Sequence, residues 1–285
     1  MKAGFLPVPV DFHSPVPDID DLEKRNVWGL RSGLEGIDLR VDAQLKFLNE
    51  LGSNYSDECQ WPLSPTNNSS QFYIQNNSFS YGCAASTHCM IRYCKPENVI
   101  EIGSGMSSMV ISDALSINHT KDRQRSKYII VDPYPSSFAK NKSLKTIECH
   151  ETRVELLDSA FFNCLKADDI LFIDSGHCVR IGGDVNYLFL DILPRLEPGV
   201  IVHIHDISMP YEYPKVYATS ETFRQFWTEQ YLLQSFLAFN NAFEVLLAMH
   251  YLMKDHGKAF KMTFPYYNPD IHRLTSGSFW IRRKK

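Results

Sequence analysis

The stretch VIEIGSGMSS, Val99 to Ser108, decides the fold of this 285-residue chain. A short apolar run leads directly into Gly103 and Gly105, and the following SSMVISDALSI has the pattern of a helix. Glycine suits such a turn because it tolerates a positive φ and lets a ligand approach the backbone. The stretch predicts a strand, a tight turn and a helix. A bound cofactor or a simple close turn would each explain the two glycines.

The alternation of apolar strands and helices continues to the end of the chain. After NVIEI the predicted strands are KYIIVDPYP, KTIECHETRVELL, DDILFID, VIVHIHDI, AFEVLLAM and GSFWIRR, and the predicted helices between them include VNYLFLDILPRLEPG and EQYLLQSFLAFN. Near-continuous apolar strands separated by helices are typical of a parallel sheet covered on both faces. We expect residues 96–285 to form one α/β domain with a seven-stranded, mostly parallel sheet and helices on both faces.

Residues 1–95 have a different pattern. Prolines punctuate an extended start, and two helical patterns follow, GIDLRVDAQLKFLNELG and YGCAASTHCMIRYC. We expect this segment to form an N-terminal cap of extended and helical pieces on the substrate side of the sheet.

Composition excludes several classes of protein. The net charge of −4 and the lack of a basic stripe argue against nucleic-acid binding. No apolar run reaches the roughly 18 residues of a membrane span, and the N-terminus lacks the core of a signal peptide. The seven irregularly spaced cysteines indicate reduced thiols, so a cytoplasmic protein is predicted. The oligomeric state stays open, a homo-oligomer included.

The form of the glycine turn narrows the choice of cofactor. The second strand ends in Asp132, at the position where doubly wound folds bind ribose hydroxyls. A dinucleotide fingerprint needs a third glycine, but Ser108 stands there. A phosphate-binding P-loop is excluded because no G-K-[ST] follows.

The pattern E-x-G-x-G resembles motif I of class I S-adenosylmethionine (SAM) methyltransferases. The chain is similar to a bacterial branch of that superfamily grouped with macrocin-type sugar O-methyltransferases. The residues that carry the resemblance span most of residues 78–283: FSYGCAASTHCMIR, VIEIGSGMSS, DILFIDSGHCVRIGGDVNYLFLDILPRLEPGVIVHIHDI, YLLQSFLAFNNAFEVLL and GSFWIRR. The branch usually has Asp at Cys83 and Ser at Gly176, so the chain departs from it at two positions.

The resemblance implies a Rossmann-like fold and a SAM site. The implied SAM-binding residues are Glu101, Gly103, Ser104, Gly105, Asp132 and Asp174.

Acidic and histidine residues follow the fourth and fifth strands, at Asp174, His177, His205 and Asp206. The carboxyl ends of neighbouring parallel strands meet at one edge of the sheet, so these side chains should converge beside Gly103. Methylation of a hydroxyl is helped by a divalent cation at the oxygen and by a general base.

Metal-dependent O-methyltransferases of the catechol and macrocin types resemble this arrangement. The resemblance implies catalytic roles for Asp174 and His177, with His177 as the base. It also implies metal ligands at Asp174 and Asp206, and His205 could take the place of the ligand that this chain lacks, which gives a metal site at Asp174, His205 and Asp206. The macrocin type carries an acid where His205 stands, and a nitrogen ligand would favour Mn²⁺ or Zn²⁺ over Mg²⁺.

Less specific interpretations stay open for several of these side chains. Asp174 could only anchor a loop or the SAM amino group, and His177 could cap a helix. His203 is expected to be a hydrogen-bonded core residue. Asp184 and Asn186 could cap a helix or line the acceptor pocket, and Tyr211, Tyr213 and Tyr217 could stack on an acceptor or pack against the cap.

The sequence favours a SAM-dependent O-methyltransferase that acts on a sugar, a glycan precursor or another small metabolite. Two alternatives stay open: a nicotinamide-dependent oxidoreductase on the same kind of fold, and a non-catalytic SAM-binding scaffold.

Overall fold

The computed structural model describes residues 7–68, 70–141, 147–222, 224–271 and 275–284. The predicted third strand begins at Lys145, and its first two residues lie outside these ranges.

Seven strands form one sheet in the order β3-β2-β1-β4-β5-β7-β6. β1 to β5 pair in parallel, and β7 is antiparallel to both of its neighbours. This confirms the predicted seven-stranded, mostly parallel sheet. The strands are β1 Asn98–Ile102, β2 Lys127–Val131, β3 Ile147–His150, β4 Ile170–Ile173, β5 Ile201–Ile204, β6 Phe243–Ala248 and β7 Phe279–Arg283.

Helices precede, connect and cover the strands. They are α1 Ile19–Lys24, α2 Val41–Tyr55, α3 Tyr81–Cys94, α4 Met106–Asp122, α5 Asp184–Tyr187, α6 Lys215–Thr219, α7 Glu229–Leu237, α8 Met249–Asp255 and α9 Gly257–Thr263. The five helices that the hydrophobic pattern predicted are all present. Four short ones, α1, α6, α8 and α9, were not predicted, because each is only five to seven residues long.

The predicted helix VNYLFLDILPRLEPG changes its winding along its length. It runs as α5, continues as a π-helical turn over Leu188–Ile192, and ends as a 3₁₀ turn over Leu193–Arg195. Pro194 lacks a backbone N–H and cannot continue an α-helical ladder, which accounts for the end of this element.

The core lies on both faces of the sheet. Phe172 of β4 and Trp280 of β7 are fully buried, and each such side chain contributes roughly 1.5–3 kcal/mol through burial. α3 is buried over nearly its whole length and packs against α4, so the last part of the predicted cap belongs to this core.

The first part of the predicted cap lies along the loop that follows β5. Arg31 and Tyr211 form an isolated antiparallel bridge, and the Ser32 N–H donates to the Pro210 carbonyl at 2.8 Å. These contacts bring residues 15–28 next to residues 212–231. No helix among the described residues is long and apolar enough to cross a membrane.

Candidate active site

A cavity of about 800 Å³ lies at the carboxyl ends of β1, β2 and β4. We call it the cofactor cavity. The register places Ile102, Ile173 and Ile204 side by side on β1, β4 and β5, so the residues that follow them share one edge of the sheet. The cavity is lined by the predicted residues Gly103, Ser104, Gly105, Asp132 and Asp174, and also by Phe79, Tyr134, Arg153, Arg180 and Asp184.

The glycine loop, Gly103 to Gly105, is shaped by close contact with β4. Gly103 has φ +92°, and a Cβ there would lie 2.0 Å from the Asp174 carbonyl oxygen. A larger residue therefore cannot occupy the position without moving the backbone. A Cβ at Gly105 would meet no atom within 4 Å, so this part of the loop is open beside the cavity.

Glu101 lies beneath the loop. Its side chain is fully buried and accepts hydrogen bonds from Ser107 at 2.6 Å, from Ser108 at 2.7 Å and from the Tyr128 hydroxyl. Burial raises the pKa of Glu101 to about 7, although these hydroxyl donors oppose the shift. Glu101 is not among the residues that line the cavity, so it supports the start of α4 from within the core.

Ser108 shows why the third glycine of a dinucleotide fingerprint is absent. Its hydroxyl donates to Glu101 and accepts the Gly105 N–H at 3.1 Å. The serine thus fastens the loop to the buried carboxylate, which a glycine could not do.

Asp132 faces the cofactor cavity from the end of β2. Its carboxylate accepts the Ser104 hydroxyl at 2.7 Å and the Tyr134 N–H at 2.7 Å. A carboxylate has about four acceptor positions, so two remain for a ligand. This is the side chain for which ribose binding is predicted.

Four side chains meet at the ends of β4 and β5, and we call them the acid–histidine cluster: Asp174, His177, His205 and Asp206. His177 Nε2 lies 3.4 Å from Asp174 Oδ1 and 3.7 Å from Asp206 Oδ2. His205 Nδ1 lies 3.3 Å and 3.5 Å from the same two oxygens. The two histidines therefore approach one carboxylate pair.

Asp174, His177 and Asp206 each offer a ligand atom within 4.8 Å of the others, which is the spacing of a metal site. His205 does not belong to that set, although its ring lies beside both carboxylates. The ring nitrogens of His205 make no hydrogen bond of good geometry to any described residue. The sequence predicted His205 as the ligand and His177 as the base, and the structure brings both to the carboxylates.

Two residues of the cluster have unfavourable backbone conformations. His177 has φ +55° and Asp206 has φ +57°. A left-handed conformation costs a non-glycine residue roughly 1–2 kcal/mol. The backbone of Asp206 also lies against Gly277, where a Cβ would be 2.9 Å from the Asp206 Cα. Such strain concentrates at functional sites, where the surrounding structure enforces it.

Glu229, the first residue of α7, is a site residue that the sequence did not reveal. Its Oε2 lies 2.8 Å from His177 Nδ1, and its side chain is fully buried. The N–H groups of Thr228 and Glu229 both donate to the His177 carbonyl, at 2.9 and 3.1 Å. The Trp227 ring lies 4.4 Å from the imidazole. In the sequence, a glutamate at a helix start suggests only an ordinary interaction with the helix dipole.

The carboxylates and the imidazoles of the cluster stabilise each other's charged forms. Burial opposes a charged imidazole at His177, but hydrogen bonds to Asp174 and Glu229 outweigh it and raise its pKa to about 10. Burial likewise opposes ionisation of Asp174, yet the two histidines lower its pKa well below the usual range. Burial raises the pKa of Glu229, partly offset by His177. His177 is therefore a charged donor in this state.

Other predicted residues have mainly structural contacts. His203 Nε2 lies 2.9 Å from the Ser278 hydroxyl, and its ring stacks on Phe172 at 3.7 Å, as expected of a core histidine. Asp184 accepts the Gly176 N–H at 2.6 Å, and Asn186 donates to the Arg180 carbonyl at 2.9 Å. Both side chains thus brace the loop after β4.

The three tyrosines after β5 differ from one another. Tyr211 donates to Asp255 of α8, and the Tyr213 hydroxyl accepts the Gln230 N–H at 3.0 Å. Tyr217 stacks edge-on against Trp227 at 4.7 Å. Of these three tyrosines, Tyr213 and Tyr217 line a second, smaller cavity between the N-terminal segment and the loop after β5.

Two comparisons of the sequence with known proteins give matches. A family model described as "Methyltransferase domain" matches residues 100–207. An uncharacterized protein of Archaeoglobus fulgidus is 31% identical over 176 residues, which cover 59% of this chain and 78% of that protein.

Solved structures with a similar fold include two of CmcI-N160. The apo-structure is 18% identical, with 79% of this chain and 85% of that chain covered and a TM-score of 0.42. The SAH structure is 15% identical, with 72% and 77% covered and a TM-score of 0.40.

Proposed function

Because this chain belongs to the class I SAM-dependent methyltransferases, we propose that it methylates a hydroxyl oxygen of a small-molecule acceptor, sugars and glycan precursors included. The observation that carries the proposal is the convergence of Asp174, His177 and Asp206 beside the cofactor cavity. Family membership argues against the nicotinamide-dependent oxidoreductase, and methyl transfer itself distinguishes an enzyme from a non-catalytic SAM-binding scaffold.

The cofactor cavity has groups suited to each part of SAM. The glycine loop offers open backbone for the methionine part, and Asp132 offers free acceptor positions for the ribose hydroxyls. Asp174 lines the same cavity and stays ionised, so it suits the amino group of SAM.

Transfer requires the acceptor oxygen to bond to the methyl carbon while the carbon–sulfur bond breaks. The electron pair of that bond remains on sulfur, which leaves S-adenosylhomocysteine (SAH), and the hydroxyl proton must depart. His177 is the side chain placed to take it, through Nε2, since Glu229 occupies Nδ1. Because the pKa of His177 is about 10, it must first lose its own proton to act as a base.

The acid–histidine cluster also fits a divalent cation. Two carboxylates and one imidazole lie at ligand spacing, and the buried ring nitrogens of His205 have no hydrogen bond to a described residue. Asp174, Asp206 and His177 or His205 would hold the ion, which when bound would lower the pKa of a hydroxyl beside it. Nitrogen ligands favour Mn²⁺ or Zn²⁺ over Mg²⁺.

Calorimetry with SAH tests the cofactor assignment. We expect the wild-type protein to bind SAH, and Asp132→Ala to weaken binding by about tenfold or more, since hydrogen bonds to a charged group contribute about 1.5–3 kcal/mol. Asp158→Ala, which removes the N-terminal cap of a 3₁₀ turn, serves as the control and should leave SAH affinity unchanged. A wild-type protein that binds no SAH at millimolar ligand contradicts the proposal.

The cation has a test of its own. We expect Mn²⁺ to bind the wild-type protein with SAH present, as measured by the loss of free-ion electron paramagnetic resonance signal, and to bind Asp206→Asn far more weakly. Equal Mn²⁺ affinity in the two proteins would remove the metal role and leave the methyltransferase assignment intact.

A further inference from the structure

A second cavity, of about 230 Å³, lies between the N-terminal segment and the loop after β5. We call it the aromatic cavity, after the rings that line it. Its walls include Trp28 from the N-terminal segment, together with Tyr213, Tyr217, Trp227 and Tyr231 from the loop and α7.

The rings of the loop form a continuous wall. Trp227 contacts Tyr217 at 4.7 Å and Tyr213 at 6.0 Å, both edge-on, and Tyr213 contacts Tyr231 at 5.9 Å. Trp28 belongs to a different part of the chain and is held by Lys215, whose ammonium lies 5.4 Å from its ring. Aromatic side chains from two segments that meet only in the folded protein therefore line this cavity.

Much of the polar capacity of these walls is already used. The Tyr231 hydroxyl donates to Glu212, and the Tyr213 hydroxyl accepts a backbone N–H. Among the described residues the Tyr217 hydroxyl has no hydrogen-bond partner, so it is available to a ligand. A sugar ring presents hydroxyls on every edge, and each one buried without a partner costs about 1–3 kcal/mol.

The aromatic cavity is adjacent to the acid–histidine cluster. Trp227 contacts Tyr217 and also lies 4.4 Å from the His177 ring. Trp227 therefore forms part of the cavity wall and also contacts His177 of the cluster.

We propose that the aromatic cavity binds the ring of a phenolic acceptor, so that the methylated hydroxyl belongs to an aromatic rather than a sugar ring. This inference rests on the proposed O-methyltransferase function and narrows its acceptor. The cavity is smaller than the roughly 300–1,000 Å³ of drug-sized sites, which suits a single ring. A phenol, with a pKa near 10, also gives up its proton more readily than an alcohol.

Ligand-observed NMR with simple probes tests the inference on the full chain with SAH present. We expect 4-methylphenol to bind the wild-type protein and methyl β-D-glucoside not to bind. Trp28→Ala and Tyr217→Ala should each weaken 4-methylphenol binding by about fivefold or more, since an aromatic contact contributes about 1 kcal/mol. Phe12→Ala, which removes an aromatic side chain that is 95% exposed, is the matched control and should bind the probe as wild type does.

SAH affinity, measured on the same samples, separates the outcomes. If SAH fails to bind, the proposed function itself is wrong. If SAH binds but 4-methylphenol does not, or binds equally well to all the variants, the phenolic acceptor is overturned. Binding of the glucoside alone would overturn it in favour of a sugar. Trp28→Phe keeps a ring at this position and should retain binding if loss in Trp28→Ala reflects stacking rather than unfolding.

Discussion

The glycine loop and the acid–histidine cluster meet at the same edge of the sheet and differ in how their polar groups are satisfied. Around the loop, Ser104 and Ser108 make hydrogen bonds of ordinary length to Asp132 and Glu101. In the cluster, the charged atoms lie 3.3–3.7 Å apart, and two residues have a positive φ.

This difference in hydrogen bonding indicates that the glycine loop and the cluster form binding sites in different ways. The polar groups of the loop are satisfied by neighbouring residues, so the loop offers a preformed surface to a ligand. The cluster holds two carboxylates and two imidazoles at 3.3–3.7 Å, longer than ordinary hydrogen bonds, and the backbone strain adds a further cost. A cation bound to the carboxylates would take the place of the imidazole protons that now neutralise them, and it would change the loop little.

Gly103→Ala should disrupt both the glycine loop and the acid–histidine cluster, and it should have the largest effect of the substitutions considered. The added Cβ would meet the Asp174 carbonyl at 2.0 Å, in a backbone conformation that alanine disfavours. Chemical denaturation should show a loss of about 4 kcal/mol in the free energy of unfolding, with no measurable SAH binding. Gly105→Ala is the matched control, because its Cβ meets open space and should cost less than about 1 kcal/mol. Equal losses in the two variants would contradict this account of the loop.

Glu101→Gln tests the loop through pH. The pKa of Glu101 is raised from 4.5 to about 7 in the folded protein, so the folded state holds a proton that the unfolded state has lost. The free energy of unfolding of the wild-type protein, minus that of Glu101→Gln, is therefore greatest below pH 4.5 and falls as the pH rises to about 7. This difference should fall by about 3 kcal/mol in total, at about 1.4 kcal/mol per unit of pKa. Urea denaturation from pH 4.5 to pH 8 measures it, and a wild-type-minus-variant difference that does not change with pH would refute it.

Glu229→Gln sharpens the comparison by changing the cluster alone. Gln cannot hold His177 as a carboxylate does, so Mn²⁺ affinity should fall by about 10- to 100-fold. SAH affinity should stay within about twofold of wild type, because Glu229 is not among the residues that line the cofactor cavity. Glu221→Gln, at an exposed position, is the control. If SAH affinity falls as much as Mn²⁺ affinity, the two regions are not separate.

Gly176→Ser should have the smallest effect. A Cβ there would lie 2.7 Å from Asp184 Oδ2, the end of a side chain that can turn away at the cost of its hydrogen bond from the Gly176 N–H. We expect a loss of less than about 1 kcal/mol in thermal denaturation, with SAH binding retained. A loss as large as that of Gly103→Ala would show that the loop after β4 is as rigid as the glycine loop.

The regions also differ in how far the sequence could predict them. Glycine spacing, Asp132 and the strand pattern are local signals, so the sheet and the lining of the cofactor cavity by Gly103 and Asp132 could be predicted. Convergence of Asp174, His177 and Asp206 followed from their positions at neighbouring strand ends.

Glu229 could not be predicted, because its contact with His177 joins residues 52 positions apart through a loop with no regular pattern. The burial of Glu101 was also hidden. Its three hydroxyl partners lie on β2 and α4, and only the folded arrangement shows that they occupy its carboxylate.

Transfer of a labelled methyl group from SAM, in an extract that contains small-molecule acceptors, would show whether the protein is an O-methyltransferase. We expect the wild-type protein to place the label in a methyl ether, and we expect Asp206→Asn, which still binds SAH, to transfer about 100-fold less. Label found on nitrogen, carbon or sulfur would contradict it, and so would transfer by Asp206→Asn at the wild-type rate.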